Sequence, residues 1–188
     1  MGKSSEMEKL GFTPREIATY KQIKIYYDNL DIPTKDKIYD IIMSPQKTCI
    51  SLRILDWFAT EYSKTSGIEL TDINGENIHI YISYKSQLKT YGKKYFDPFR
   101  RHIKFIFYYK NIETTIAQLN FFRWAITNNI MPYIEENIEE LTKNMNASNL
   151  NKKKKKKDKN DSTLKSYDST FTTGETLPYD DVDLTVSF

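Results

Sequence analysis

The chain has 188 residues, of which 39% are hydrophobic and 14% aromatic, and its formal net charge is +3. This length fits one domain with a tail, and the apolar share is sufficient for a hydrophobic core. The single cysteine, Cys49, excludes an internal disulfide and a cysteine-rich metal site, and the short apolar runs and polar N-terminus lead us to expect neither a membrane span nor a secretion signal.

The N-terminal part of the chain is predicted to be helical. Thr13, Pro14 and Glu16 form a helix-start pattern, in which a capping hydroxyl precedes a proline and an acid completes a capping box. Apolar residues then recur at helical spacing at Ile17, Tyr20, Ile23 and Tyr27. A second, short helix is expected over residues 35–43, after the break at Pro33 and Thr34.

The next predicted helix is the most apolar one and is expected to form the centre of the core. Ser44 and Pro45 repeat the pattern of a cap followed by proline, and Ser66 with Gly67 is a plausible end. Its apolar stripe consists of Ile50, Ile54, Trp57 and Phe58. Asp56 lies inside this stripe, and we interpret it as a structural residue that pairs with Arg53 or with the Arg100–Arg101 pair.

Two strands are predicted beyond this helix, and a basic segment connects them. Ile78, Ile80 and Ile82 alternate with more polar residues, and so do Phe105 and Phe107 in the stretch "HIKFIFYY". We expect the two strands to pair in a small antiparallel sheet. A short helix over residues 85–91 and a turn at the proline of "YFDPF" are expected in the connection.

The last part of the globular region is predicted to be a pair of helices. The first contains the stretch "TTIAQLNFFRWAITNNI" and ends near Asn128 and Asn129, and the second begins at Pro132 and carries four glutamates on its outer face. Apolar periodicity stops after Asn146. The fold class that follows is α+β, with a helical N-terminal half, a small antiparallel sheet of two or more strands, a C-terminal helical pair and a disordered C-terminal tail.

The predicted domain boundaries follow from this change of composition. Residues 1–146 are expected to form a single α+β globular domain. Residues 147–188 are expected to be a disordered tail, because they cannot bury enough apolar surface to offset the chain entropy. A basic lysine run opens this tail, and residues 161–188 then carry six acids and one lysine. The acidic part could bind the lysine run and mask it.

The sequence contains no recognisable catalytic motif, and we expect a protein that is not an enzyme. His79 and His102 each lie on a predicted strand, far from Cys49, so no metal site and no cofactor is expected. Six glycines leave little room for a phosphate-binding loop. The glutamates of the last helix have the spacing of a solvated helix face.

The strongest functional signal is the basic segment from Tyr84 to Lys104. Its cations are the predicted nucleic-acid contacts, namely Lys85, Lys89, Lys93, Lys94, Arg100, Arg101 and Lys104. Cations clustered on one face, with aromatic residues between them, are typical of nucleic-acid binding. The alternatives are a solvated basic loop whose aromatics belong to the core, and a lysine content that reflects A/T-rich codons.

The lysine run of the tail is a second predicted phosphate-binding element. It consists of Lys152, Lys153, Lys154, Lys155, Lys156 and Lys157. Such a run can contact phosphates without sequence preference, or it can serve as a nuclear localisation signal. The expected partners are therefore DNA or RNA without sequence specificity, and no membrane.

A different class of function is also compatible with the sequence. A structural or assembly protein could dock onto other proteins through Tyr91, Tyr95, Phe96 and Phe99, with the acidic last helix as a rim. The lysine run makes the nucleus a possible location. The sequence leaves the oligomeric state open.

Three stretches of the chain resemble a known family. The stretches "LRILDWFATEYSK", "YISYKSQLKTYGKKYFDPFRR" and "TTIAQLNFFRWAITNNIMPYIEEN" occur in this order between residues 51 and 137. Together they resemble a small uncharacterised protein family of nucleocytoplasmic large DNA viruses, the mimivirus and phycodnavirus groups. The resemblance implies a viral origin and implies no activity, and no catalytic residue is transferred from it. With a viral origin, the docking alternative becomes a virion structural or assembly protein whose partners are viral proteins. The expected location is then a viral factory in the host cytoplasm or the virion, with the nucleus as a further possibility.

Overall fold

The structure, a computed structural model, describes residues 9–167, with side chains described as far as residue 154. The chain divides into two units, Met1–Met145 and Asn146–Phe188. The first unit contains helices and two small antiparallel sheets of two strands each. The predicted α+β class is therefore confirmed.

The N-terminal helices begin as the sequence predicts. Helix α1 (Pro14–Asp28) is preceded by Thr13, whose hydroxyl accepts a hydrogen bond from the backbone N–H of Glu16, and the Glu16 carboxylate accepts one from the N–H of Thr13 in return. Helix α2 (Ile32–Met43) starts three residues earlier than expected because the Asp31 side chain caps it and Pro33 fits the first turn.

The central apolar helix starts later than predicted. Ser44 and Pro45 form a turn instead, closed by a hydrogen bond from the N–H of Lys47 to the carbonyl of Ser44 at 2.8 Å, because proline suits the second position of a turn as well as a helix start. Helix α3 (Leu52–Trp57) is capped by Ser51, and a π-helical segment (Phe58–Tyr62) and helix α4 (Ser63–Ser66) continue it. Gly67 ends it in the left-handed conformation, as predicted.

The predicted first strand is mostly a helix. Strand β1 (Glu69–Thr71) pairs with strand β2 (Asn77–His79), and helix α5 (Ile80–Tyr91) follows without a break. The pattern of Ile80, Tyr84 and Leu88 also has a period of four residues, and the His79 side chain caps the helix by accepting from the N–H of Ile82. A short helix, α6 (Lys93–Phe96), comes next.

The second predicted strand exists but has a different partner. Strand β3 (Phe105–Phe107) pairs with strand β4 (Ile112–Thr114), and the connecting residues Lys110 and Asn111 both have positive φ angles. Each predicted strand therefore forms a hairpin with a local neighbour, and the two do not pair with each other. Phe105 and Phe107 are buried and Ile106 is exposed, as the alternation predicts.

The predicted stripe of Ile50, Ile54, Trp57 and Phe58 is buried in the core, and helix α7 adds a second, larger set of buried residues. Helix α7 (Ile116–Thr127) is capped by Thr115, and its buried residues are Ile116, Ala117, Leu119, Asn120, Phe121, Phe122, Trp124 and Ala125. The Tyr27 hydroxyl of α1 donates to the carbonyl of Leu119 at 3.0 Å inside this core.

The chain bends at the predicted asparagines and enters its last helices. Asn129 has a φ of 51°, and helix α8 (Ile130–Glu136) begins two residues before Pro132. Helix α9 (Ile138–Tyr167) then continues through Ala147, the predicted start of the tail. Lysine is a good helix former, so a lysine-rich stretch can be helical without burying apolar surface. The predicted acidic end of the tail, residues 168–188, lies outside the described residues.

Candidate nucleic-acid interface

Helix α5 separates the basic segment into an inner and an outer face. Ile80 and Tyr84 are buried against the core, whereas Lys85 and Lys89 are exposed one turn apart. Gly92, with a φ of 73°, ends the helix and starts α6, on which Lys93 is exposed. The residues that anchor the helix are therefore apolar and aromatic, and its free face is cationic.

Three of the predicted contact lysines line one open groove. The groove has a volume of about 590 Å³ and is lined by Ile82, Lys85, Ser86, Leu88, Lys89 and Lys93. No carboxylate among residues 9–154 lies within 4.0 Å of these three ammonium groups. Ile82 is 63% exposed, so the groove has an apolar wall between its cations.

Two of the other predicted contacts are already paired with acids. Lys94 lies 3.1 Å from the Glu16 carboxylate, and Lys104 lies 2.8 Å from that of Glu113 on strand β4. Exposed ion pairs such as Lys104–Glu113 contribute little to stability, but they do reduce the local positive charge. These two lysines are therefore partly neutralised, unlike the three of the groove.

Glu16 is the buried acid of this region. Burial opposes its ionisation, but hydrogen bonds from Thr13 and the contact with Lys94 outweigh that effect and lower the pKa of Glu16 to about 2. His102 Nε2 lies 3.5 Å from the same carboxylate, and burial together with Lys94 lowers the pKa of His102. The predicted strand residue His102 is thus a neutral side chain beside a structural ion pair.

Arg100 and Arg101 follow a tight turn and are exposed. The carboxylate of Asp97 accepts from the N–H of Phe99 at 3.0 Å, and the carbonyl of Asp97 accepts from the N–H of Arg100 at 3.1 Å. Pro98 is buried in this turn, as predicted. Within residues 9–154, neither arginine has a carboxylate within 4.0 Å, so both remain available to an anion.

Most of the interleaved aromatics belong to the core. Phe96 is fully buried, with its ring 5.7 Å from those of Tyr84 and Trp124 and 5.8 Å from that of Phe121. Tyr91 and Tyr95 are partly buried, and Phe99 is 55% exposed. The predicted aromatic docking surface is therefore wrong for Phe96, because a ring between helices α5 and α7 is inaccessible to a partner.

Asp56 does not form the predicted ion pair. No cation of the described residues lies within 4.0 Å of its carboxylate. Burial, together with repulsion from Asp97 and Glu61, instead raises the pKa of Asp56 to about 6. The carboxylate sits among other acids because the turn at Asp97 presents its own carboxylate to that side, which the sequence order does not reveal.

The structure also locates the histidine, the cysteine and the lysine run that the sequence analysis considered. His79 caps α5 and Cys49 is exposed. In the part of the chain that the structure describes, no group of three or more His, Cys, Asp or Glu residues could hold a metal ion. The backbone of the predicted lysine run lies in α9, where Lys152, Lys153 and Lys154 are exposed. The side chains of Lys155, Lys156 and Lys157 lie outside the described ones.

Sequence reasoning missed the apolar wall of the groove and strand β1. Ile82 was assigned to a buried strand face, although it stands three residues before Lys85, a spacing that fits the same helix face. The turn between β1 and β2 had a readable signal in Asn74 followed by Gly75. Gly75 has a φ of 85°, and the Asp72 carboxylate accepts from the N–H groups of Asn74 and Glu76.

Comparisons with known proteins place the chain among viral proteins. A family model described as "Family of unknown function (DUF7197)" matches residues 3–183. "Uncharacterized protein L507" of Acanthamoeba polyphaga mimivirus is 37% identical over 145 residues, which cover 71% of this chain and 55% of that protein. The chain thus spans about half the length of this relative. No solved structure matches it, and no helix of the described residues is long and apolar enough to cross a membrane.

Proposed function

Since this chain belongs to the protein family of unknown function DUF7197 and is similar to a mimivirus protein, we propose that it is a non-enzymatic viral protein that associates with DNA or RNA. The single observation that carries the proposal is the open groove on α5, where Lys85, Lys89 and Lys93 converge without an acid among the described residues. The phosphates of a bound nucleic acid would pair with these three lysines, as acidic side chains do elsewhere in the protein.

The mechanism is neutralisation of backbone phosphates with release of their counterions. Such binding has little sequence preference and weakens steeply as salt increases. Arg100 and Arg101 extend the contact because a guanidinium can donate two bonds to one phosphate. The lysine run that begins at Lys152 adds a sequence-independent contact.

The apolar wall of the groove favours a single strand over a duplex. Ile82 and Leu88 stand beside the lysines, and bases of a single strand can contact such side chains while its phosphates meet the ammonium groups. In a duplex the bases are stacked and paired, so their faces are not exposed to such side chains. Single-stranded DNA or RNA is therefore the proposed polymer, and viral proteins are the alternative partner.

The test compares two triple variants with the same change of charge. Fluorescence anisotropy with a labelled single-stranded oligonucleotide measures affinity over a salt series for the native chain, for K85Q/K89Q/K93Q and for K21Q/K47Q/K64Q, whose lysines are exposed outside the groove. We expect the groove variant to lose most of the affinity and its salt slope to fall by about 2–3, roughly 0.7–0.9 per lost phosphate contact.

Three results would contradict the proposal. The first is no binding at low salt, the second is binding that does not depend on salt, and the third is equal loss in both variants. Purification from infected cells with and without nuclease then separates partners bridged by nucleic acid from viral proteins bound directly. Partners that survive nuclease and disappear in F99A would favour the docking alternative.

A further inference from the structure

A second depression, on another face of α5, has the chemistry of an anion site. It has a volume of about 300 Å³ and lies between helices α5 and α7. Helix α5 contributes Ser83, Gln87 and Tyr91, which are four residues apart and share one face. Helix α7 contributes Arg123 and Trp124, and Asn128 follows that helix. None of the lining residues is acidic.

Arg123 is a partly buried cation without an anion. No carboxylate within residues 9–154 lies within 4.0 Å of its guanidinium. Its Nη2 donates to the hydroxyl of Tyr91 at 2.8 Å, and its Cζ lies 5.7 Å from the centre of that ring. A neutral phenol fixes the direction of the guanidinium but does not balance its charge. An anion in the pocket would supply that balance.

The neighbouring hydroxyls are prepared to donate. Ser83 Oγ accepts a hydrogen bond from Trp124 Nε1 at 2.9 Å, and Tyr91 Oη accepts one from Arg123. Since both hydroxyl oxygens act as acceptors for the pocket wall, both hydroxyl hydrogens can donate to a ligand. The amide of Gln87 adds N–H donors to the same pocket. Helices α5 and α7 both contribute hydrogen-bond donors to this pocket.

We propose that this pocket binds the phosphoryl group of a phosphate monoester. Three terminal oxygens carrying more than one charge can accept from a guanidinium, two hydroxyls and an amide at once, whereas a planar carboxylate offers two oxygens. The volume exceeds that of a phosphoryl group, so the attached alcohol also has room. The pocket uses none of the groove lysines, and this inference is independent of the proposed nucleic-acid association.

The two tryptophans of the chain provide a direct readout. In a ¹⁵N–¹H correlation spectrum, the indole N–H of Trp124 reports on the pocket wall, and that of Trp57, which does not line the pocket, is an internal control. We expect adenosine monophosphate and inorganic phosphate to shift the Trp124 signal saturably, and adenosine to leave it in place. No saturable shift, or an equal shift with adenosine, would overturn the proposal.

Variants separate binding from loss of folding. Q87E keeps the size of the side chain and places a carboxylate in the pocket, and we expect it to weaken phosphate binding at least about tenfold. R123Q should do the same, and R53Q, at an exposed arginine outside the pocket, should bind as the native chain does. A Trp124 shift that persists in Q87E would contradict the assignment even if R123Q failed to fold.

The source of the phosphoryl group is decided by a second comparison. Oligonucleotides of one sequence, with a 5′-phosphate or a 5′-hydroxyl, are added to the native chain and to Q87E. If the ligand is a nucleic-acid end, the 5′-phosphate strengthens binding to the native chain only, and adenosine monophosphate binds more weakly. Equal binding of the two oligonucleotides, with saturable binding of the mononucleotide, identifies a free mononucleotide instead.

Discussion

At the scale of single residues, the buried acid Glu16 and the partly buried acid Asp56 have opposite environments. Glu16 accepts hydrogen bonds from Thr13 and contacts Lys94, so its charge is stabilised in the folded chain. Asp56 is partly buried and is repelled by Asp97 and Glu61, so its charge is destabilised. The capping box could be read from the sequence because it is local. The environment of Asp56 could not, because Asp97 is forty-one residues away.

The first prediction concerns Asp56 and pH. Its pKa rises from 3.8 to about 6 on folding, so the folded chain binds the proton more tightly, and stability is lost as the pH rises through about 6. The D56N variant does not ionise at this position, so its stability does not fall as the pH rises through about 6. We expect it to raise the free energy of unfolding by about 1–3 kcal/mol at about pH 7.5 and to have little effect at about pH 4, as measured by urea denaturation.

Glu16 supplies the control of opposite sign. Because its pKa falls from 4.5 to about 2 on folding, its contribution is present above pH 4.5 and is lost as the pH falls toward 2. E16Q should therefore lower stability by up to about 3 kcal/mol near neutral pH and much less in acid. Destabilisation by D56N at about pH 7.5 would show that the Asp56 carboxylate has a favourable partner.

At the scale of elements, helix α5 decides which surface the protein presents. As a strand, residues 78–84 would place Ile80 and Ile82 on one face. As a helix, they place Ile80 in the core and Ile82, which is 63% exposed, in the wall of the basic groove. A short alternating pattern is compatible with the two-residue period of a strand and with the 3.6-residue period of a helix. Burial of Tyr84 against Phe96 and Trp124 selects the helix.

The second prediction tests this choice by paired alanine variants. I80A removes a fully buried side chain and should lower the free energy of unfolding by about 2–5 kcal/mol. I82A removes an exposed one and should change it by less than about 0.5 kcal/mol. Chemical denaturation of both variants gives the comparison, and equal losses would indicate that the two side chains share a buried strand face.

At the scale of the whole molecule, charge is distributed unevenly along the chain. The first unit contains the core, the groove and the pocket, and the second contains the lysine run. Residues 161–188 carry six acids and one lysine. This charge repels a polyanion over distances of about a Debye length, which is about 10 Å at 0.1 M salt.

The third prediction concerns two truncated chains. A chain that ends at Asn160 loses a net charge of −5, six acids less one lysine, and should bind single-stranded DNA more tightly than the native chain at low salt. A chain that ends at Met145 also lacks the lysine run and should lose that gain. Both should keep the native unfolding temperature, because the buried core lies before residue 146. Calorimetry measures the unfolding temperature, and fluorescence anisotropy measures the affinity for single-stranded DNA. Equal affinities of both truncated chains would exclude a contribution of the lysine run.

The sequence by itself determined the features that depend on near neighbours. These are the capping box at Thr13, the end of the helix at Gly67, the inward face of β3, the bend at Asn129 and the α+β class. Each rests on residues a few positions apart, where backbone geometry and hydrogen bonding are local.

Tertiary structure alone decided the features that depend on distant contacts. The helical state of Ile80–Tyr91, the burial of Phe96 and the acidic surroundings of Asp56 all depend on segments far away in the chain. The same holds for the pocket between α5 and α7, since it needs side chains that sequence spacing does not bring together. The groove lysines, in contrast, lie four residues apart and could be predicted from the sequence. Packing between side chains that are distant in the sequence selects these structures, and local sequence patterns do not reveal that packing.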